Sequence, residues 1–183
     1  MTRPIYAWSP TLERREVLLG GGSTLKLHRE TDFSVTAPDT WTDLPFEVFG
    51  TDTTLDGFTL SGDGIEITVD FASVLNIAGC VRPRWTGAGN TSVTVASRIM
   101  QSDDGGGTWV ESRCLQTVNG RAFGVSEQST FRYAGSIRTI PGTIYKLQIR
   151  VTDTDMILSG WVGFDRPTAA SMEAHKIGET DLS

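Results

Sequence analysis

The stretch Ile144-Tyr145-Lys146-Leu147-Gln148-Ile149-Arg150-Val151 decides the fold. Successive side chains of an extended chain point to opposite faces. Tyr145, Leu147, Ile149 and Val151 therefore share one side, and Ile144, Lys146, Gln148 and Arg150 the other. One greasy and one mostly polar face define a half-buried strand. Working outward, the same period of two recurs. Ile65, Ile67, Val69 and Phe71 alternate with Glu66, Thr68 and Asp70. The run from Val74 to Trp85 is longer and more apolar, with Pro83 confined to an edge or an end because it lacks an N–H for a ladder. Val93, Val95 and Ile99 mark a strand over Ser92–Met100, and Trp109–Val118 follows a tight turn. Phe131 and Tyr133, Met156–Phe164 and Ser171–Ile177 continue the pattern towards the end of the chain. Val35 and Ala37, Trp41–Phe49 and Phe58–Leu60 begin it. Nine or ten short strands separated by Gly, Asp and Pro turns, with no long helical pattern and no internal repeat, predict an all-β antiparallel sandwich or barrel.

Composition bounds the function. The chain has 183 residues with 38% hydrophobic content, enough for one domain with a real core. No apolar run is long enough for a spanning helix, and the first residues lack the basic-then-apolar layout of a secretory signal, so no membrane insertion is expected. A formal net charge of -6 argues against nucleic acid as a partner, since such proteins hold phosphates with an excess of cations. Only Lys26, Lys146 and Lys176 are lysines among 16 basic residues. The arginine bias suits interfacial ion pairs and equally a GC-rich genome.

The first thirty or so residues read differently. Ile5, Tyr6 and Trp8 lie between two prolines that favour an extended path. Thr11 is placed to cap a short helix carrying Leu12, Leu18 and Leu19, ended by Gly20-Gly21-Gly22. This much apolar surface suggests an anchoring arm that orders on a partner, with a free leader as the blander reading. The expected division is an arm with a glycine joint over residues 1–33 and a β-domain over residues 34–183.

Few residues suggest chemistry. Cys80 and Cys114 have no metal-ligand spacing and lie in apolar runs, which leaves two buried thiols or one bridge between neighbouring strands. The only histidines are His28 and His175, and neither lies near a cysteine in sequence, so a catalytic thiol is not expected. No metal or other cofactor is expected. Carboxylates at Asp52/Asp56, Asp63/Glu66, Asp103/Asp104 and Asp153/Asp155 sit at turns, where Asp bonds its own backbone, with a two-loop Ca²⁺ site as the sharper reading. The tryptophans at 8, 41, 85, 109 and 161 are core or interface residues, or flat platforms for a sugar. One motif is specific. Ser102, Asp104, Gly106, Thr108 and Trp109 match the S-x-D-x-G-x-T-W pattern of the Asp-box hairpin. In that hairpin the carboxylate accepts turn N–H groups, the glycines take positive φ and the indole packs over the turn. Sialidases carry several such hairpins away from their catalytic site, and one copy marks a turn rather than an activity.

Residues from about Trp41 to Gly178 resemble the TNF/C1q-like jelly roll. The likeness is carried by Trp41-Thr42-Asp43-Leu44-Pro45-Phe46, by Phe58-Thr59-Leu60 before Gly64–Val69, and by the apolar strand through Cys80. Pro141–Ile149 and the closing Ser171-Met172-Glu173-Ala174-His175 complete it. Such modules also occur in bacteriophage virions as head fibres, decoration proteins and receptor-binding tips. The resemblance implies a homotrimer about a threefold axis, with an N-terminal arm docked on the major capsid or tail protein. The expected function is then a non-enzymatic virion structural protein, assembled in the host cytoplasm. A carbohydrate-binding module for a host surface glycan is the alternative. A glycan hydrolase drawing on Asp103, Asp104 and Glu111 is the remote one.

Overall fold

The structure is a computed structural model. It describes residues 24–35, 37–49, 57–89, 91–111, 117–123, 129–153, 155–158 and 169–178. The deciding stretch forms strand β13 (Thr143–Val151), whose residues alternate strictly between buried and half-buried. Its buried face carries Tyr145, Leu147, Ile149 and Val151, all with no exposed surface. Burying one such aliphatic side chain contributes about 1.5–3 kcal/mol.

β13 is central in one layer. It pairs antiparallel with the long β9 (Thr91–Ser102), Leu147 opposite Ile99 and Val151 opposite Val95. On its other edge lie β6 (Ile67–Val69) and β3 (Thr42–Asp43), and β5 (Phe58–Leu60) extends the sheet beyond β6. The free edge of β9 takes β11 (Thr117–Phe123) along its first half and β10 (Val110–Glu111) at its end. The second layer runs β12 (Phe131–Thr139), β7 (Ser73–Val81), β15 (Ala170–Gly178), β1 (Thr24–Arg29) and β4 (Val48–Phe49). A three-stranded sheet of β2 (Phe33–Ser34), β14 (Met156–Leu158) and β8 (Pro83–Trp85) is hydrogen-bonded to neither, and adds Trp85, Met156 and Leu158 to the same core. Every pairing is antiparallel, and the described residues contain no helix. The chain crosses repeatedly between the layers, with only β5–β6 and β9–β11 of the described strands staying in one sheet as consecutive strands, as in a jelly roll.

The core lies between the two layers. Leu25, Leu27, Leu75, Ile77 and Met172 come from one sheet, and Val95, Ile99, Leu147, Ile149 and Ile67 from the other. Gly79 is required where the Tyr133 side chain crosses β7 within its own sheet. A Cβ there would stand 2.1 Å from the Ser171 carbonyl oxygen and 2.4 Å from the Tyr133 hydroxyl. The absent side chain lets the Tyr133 ring pass β7 and donate its O–H to Ser171 O on β15 at 2.8 Å.

Three expectations change. Thr24–Arg29 is a strand of the sandwich, not part of an arm: it pairs with β15 along its whole length and buries Leu25 and Leu27. The domain therefore reaches back at least to Thr24, because those two leucines fill the core beside Met172 and Ala174. The run from Val74 to Trp85 divides into β7 and β8, with Pro83 opening the second strand at Leu158. Trp41–Phe49 contains two short strands, between which Leu44 and Phe46 turn into the core. The proposed helix over residues 12–19 lies outside the described residues.

Candidate functional site

The polar face of β13 points away from the core and meets the outward face of β9. Gln148 stands opposite Arg98 on β9 and opposite Asp43 on β3. The Arg98 guanidinium donates to Gln148 Oε1 at 2.9 Å and to Glu111 Oε2 at 3.0 Å. Asp43 accepts from Gln148 Nε2 at 2.7 Å and from Lys146 Nζ at 2.9 Å. Each ion pair is partly exposed, so its Coulombic contribution to stability is about 0–1 kcal/mol. The network instead holds these side chains in one arrangement.

A tryptophan stands at each end of it. Trp41 precedes β3 and has the Arg98 guanidinium carbon 4.2 Å and that of Arg150 5.0 Å from its ring centroid. Trp109 precedes β10, and Lys146 Nζ lies 4.3 Å from its centroid. Both rings are half-buried. Arg150 differs from Arg98 and Lys146 in pairing with no carboxylate among the described residues, and its cation rests against Trp41.

The Asp-box-like turn joins β9 to β10 and so places Trp109. Ser102 donates to Asp104 Oδ1 at 2.7 Å and accepts the Gly106 N–H at 2.9 Å. The Thr108 N–H donates to Asp104 Oδ1 at 2.8 Å. Gly105 and Gly106 take φ of 73° and 94°, the left-handed region that side chains avoid. An added Cβ at Gly106 would lie 4.0 Å from Trp109 Cζ2, so the indole stands over the turn. The Thr108 N–H, then the Ser102 hydroxyl, hold the Asp104 carboxyl down at about 2.

The turn carboxylates act on their own loops. Asp63 accepts from Ser61 Oγ and the Ile65 N–H, and Asp153 accepts the Asp155 N–H. Asp103 accepts from Thr143 Oγ1 at 2.7 Å and from Gln101, tying the hairpin to the β12–β13 turn. Among the described residues no three His, Cys, Asp or Glu side chains gather as metal ligands would. Asp103, Asp104 and Glu111 thus each have a structural partner. Cys80 is half-buried on β7, a free thiol 3.4 Å from Ser171 Oγ. The anchor residues Ile5, Tyr6, Trp8, Leu12, Leu18 and Leu19 lie outside the described residues, as do Asp52, Asp56 and Cys114.

The outward face of the other layer is different in kind. Ala134 on β12, Ala78 on β7 and Glu173 on β15 stand in one cross-strand row. Ser136, Asn76 and His175 form the next row, with Ser136 Oγ donating to Asn76 Oδ1 at 2.6 Å. The side chains along the middle of β7 on this face are short, while Arg132 and Arg138 on β12 and Lys26 on β1 stand around them.

Sequence reasoning had placed Lys146, Gln148 and Arg150 on a solvent face. It missed that Trp41, Asp43 and Arg98 join them there. The only signal was the outward phase of Arg98 within Ser92–Met100.

Strand order, register and the two layers define the molecule as an all-β antiparallel jelly roll of the TNF-like kind. Solved structures with this fold include the Eiger TNF from S. frugiperda, 11% identical with a TM-score of 0.59, where 87% of this chain aligns with 95% of that one. Murine APRIL is similar at 13% identity and a TM-score of 0.54, with 85% of this chain aligned to 98% of that one. No protein-family model matches the chain, and no curated protein matches it in sequence.

Proposed function

We propose that this chain is a non-enzymatic structural subunit of a bacteriophage virion, working as a homotrimeric head fibre, decoration or spike protein fixed to the particle by its N-terminal residues. The observation that carries the self-association is the outward face of β12, β7 and β15. Ala78 on β7 is exposed, as is its neighbour Ala134 on the edge strand β12, where long solvated side chains would be expected on a surface that only meets water. Short side chains let two such surfaces approach closely at this point, and cyclic symmetry repeats that contact three times. The residues before Thr24 supply the apolar Ile5, Tyr6 and Trp8 for contact with a capsid or tail protein. Three such arms on one trimer multiply the avidity of a weak single contact.

Mass in solution tests the first half. A trimer is about 60 kDa, three times the 19.9 kDa chain, and a monomer at micromolar concentration overturns the reading. Removing residues 1–23, which leaves β1 intact, tests the second half. The shortened trimer is expected to lose attachment to virions, and attachment at full occupancy without those residues contradicts the anchoring role.

A further inference from the structure

We propose that the outward face of β13, β9 and β3 is a binding platform for an acidic oligosaccharide, with Arg150 as the residue that pairs with the sugar carboxylate. This inference does not depend on the virion reading.

Arg150 is the starting point. Its cation lies against the Trp41 ring, a contact that uses the guanidinium while no carboxylate among the described residues engages its N–H groups. A guanidinium is a planar fork matched to the two oxygens of a carboxylate, and half-burial strengthens that pairing relative to open water. Trp41 holds the fork in place, which removes part of the ordering cost of binding.

The rest of the face fits the remainder of an acidic sugar chain. Lys146 and Arg150 are four residues apart on β13, so their backbone positions span about 13 Å, and each cation lies against a tryptophan. That is the length of a short oligosaccharide. Trp41 is taken up by Arg98 and Arg150, so the half-buried Trp109 indole is the one that offers apolar surface to the C–H face of a sugar ring. Arg98, Gln148 and Lys146 supply donors, with Asp43 and Glu111 as acceptors, all pre-arranged by their mutual hydrogen bonds. Sugar hydroxyls need such a mixture of donors and acceptors.

Charge agrees. The platform holds three cations (Arg98, Lys146, Arg150) against two anions (Asp43, Glu111), a local positive excess on a chain of net charge -6. One surplus cation selects a singly charged group and is too few for a polyphosphate. The edge strands that flank the platform, β3 and β10, are two residues long each, too short a ladder for an extended peptide to add to as a strand.

The test uses the full chain and a tetrasaccharide of galacturonic acid, with its methyl ester as the neutral control and sulfate as the bare-anion control, followed by calorimetry and tryptophan fluorescence. The acid is expected to bind saturably, at least tenfold more tightly than the ester. Arg150→Gln should remove that tenfold preference, and Arg150→Lys should restore only part of it, because the charge returns without the fork. Trp109→Ala should weaken acid and ester alike. Unchanged unfolding midpoints show that the variants are folded. Absence of saturable binding to the wild-type chain, equal binding by Arg150→Gln, or sulfate binding as tightly as the acid with Trp109→Ala unaffected would each overturn the proposal.

Discussion

Tyr133 and Tyr145 enter one core from opposite layers, and their hydroxyls fare differently. Tyr133 donates to the Ser171 carbonyl, whereas the buried Tyr145 hydroxyl has no partner among the described residues. Burial holds both phenols protonated far above their ordinary range, so neither gains an interaction by ionising. An unmade buried hydrogen bond costs more than a made one returns. Tyr145→Phe is therefore expected to leave stability unchanged or raise it by up to about 1 kcal/mol, while Tyr133→Phe loses about 1 kcal/mol. Urea unfolding of the two variants side by side distinguishes them. Asp104 carries a pH signature at the same scale. Its folded carboxyl titrates at about 2, below the ordinary 3.8, because the Thr108 N–H and the Ser102 hydroxyl bond the charged form. A depressed carboxyl stabilises the fold above its unfolded value and loses that contribution as pH falls through its folded value. Stability from Asp104 should be complete at pH 5 and vanish between about pH 4 and pH 2. Thermal melts of Asp104→Asn are expected to show a shallower acid limb than the wild type, and identical limbs would contradict the assignment.

At the scale of elements, β1 decides where the domain starts. Its six residues pair with β15 and two of them with β4, and its leucines are buried in the core that both layers share. A chain beginning at Thr24 is expected to unfold in one cooperative transition. A chain beginning at Ser34 loses Leu25 and Leu27 and should be destabilised by about 4 kcal/mol or more, from two buried leucines at about 2–5 kcal/mol each. Calorimetry of the two truncations reads this directly. The strand was hard to see in sequence because Thr24–Arg29 offers only two apolar positions, directly after three glycines that read as a joint. β13 was legible for the opposite reason: four core residues in strict alternation leave no other phase. Pro83 likewise announced a strand boundary, since its missing N–H has a local effect. The Asp-box turn was legible because its bonds join residues at most four apart. The platform was not, because Trp41 and Arg98 meet only through the registers of β3 on β13 and of β13 on β9. Register between distant strands is set by the packed whole and has no local sequence mark.

At the scale of the whole molecule, the two outward faces carry opposite chemistry, and this permits a clean test of assembly. One face bears tryptophans and paired charges, the other short side chains around Ala78. Ala78 is exposed, with Ala134 opposite on one side and Glu173 on the other. In a lone subunit a glutamate at this position faces solvent with Glu173 as its cross-strand neighbour, so Ala78→Glu should lower stability by no more than about 1 kcal/mol. In a trimer packed through this face the same carboxylate is buried three times, beside Glu173 each time. Burying an unpaired charge costs several kcal/mol per ion. Ala78→Glu is therefore expected to shift the species seen by light scattering from about 60 kDa to about 20 kDa, while saccharide binding at the opposite face is retained. An equivalent substitution on the platform side, Gln148→Glu, should leave the mass unchanged. A trimer that tolerates Ala78→Glu would move the subunit contact away from the β12, β7 and β15 face.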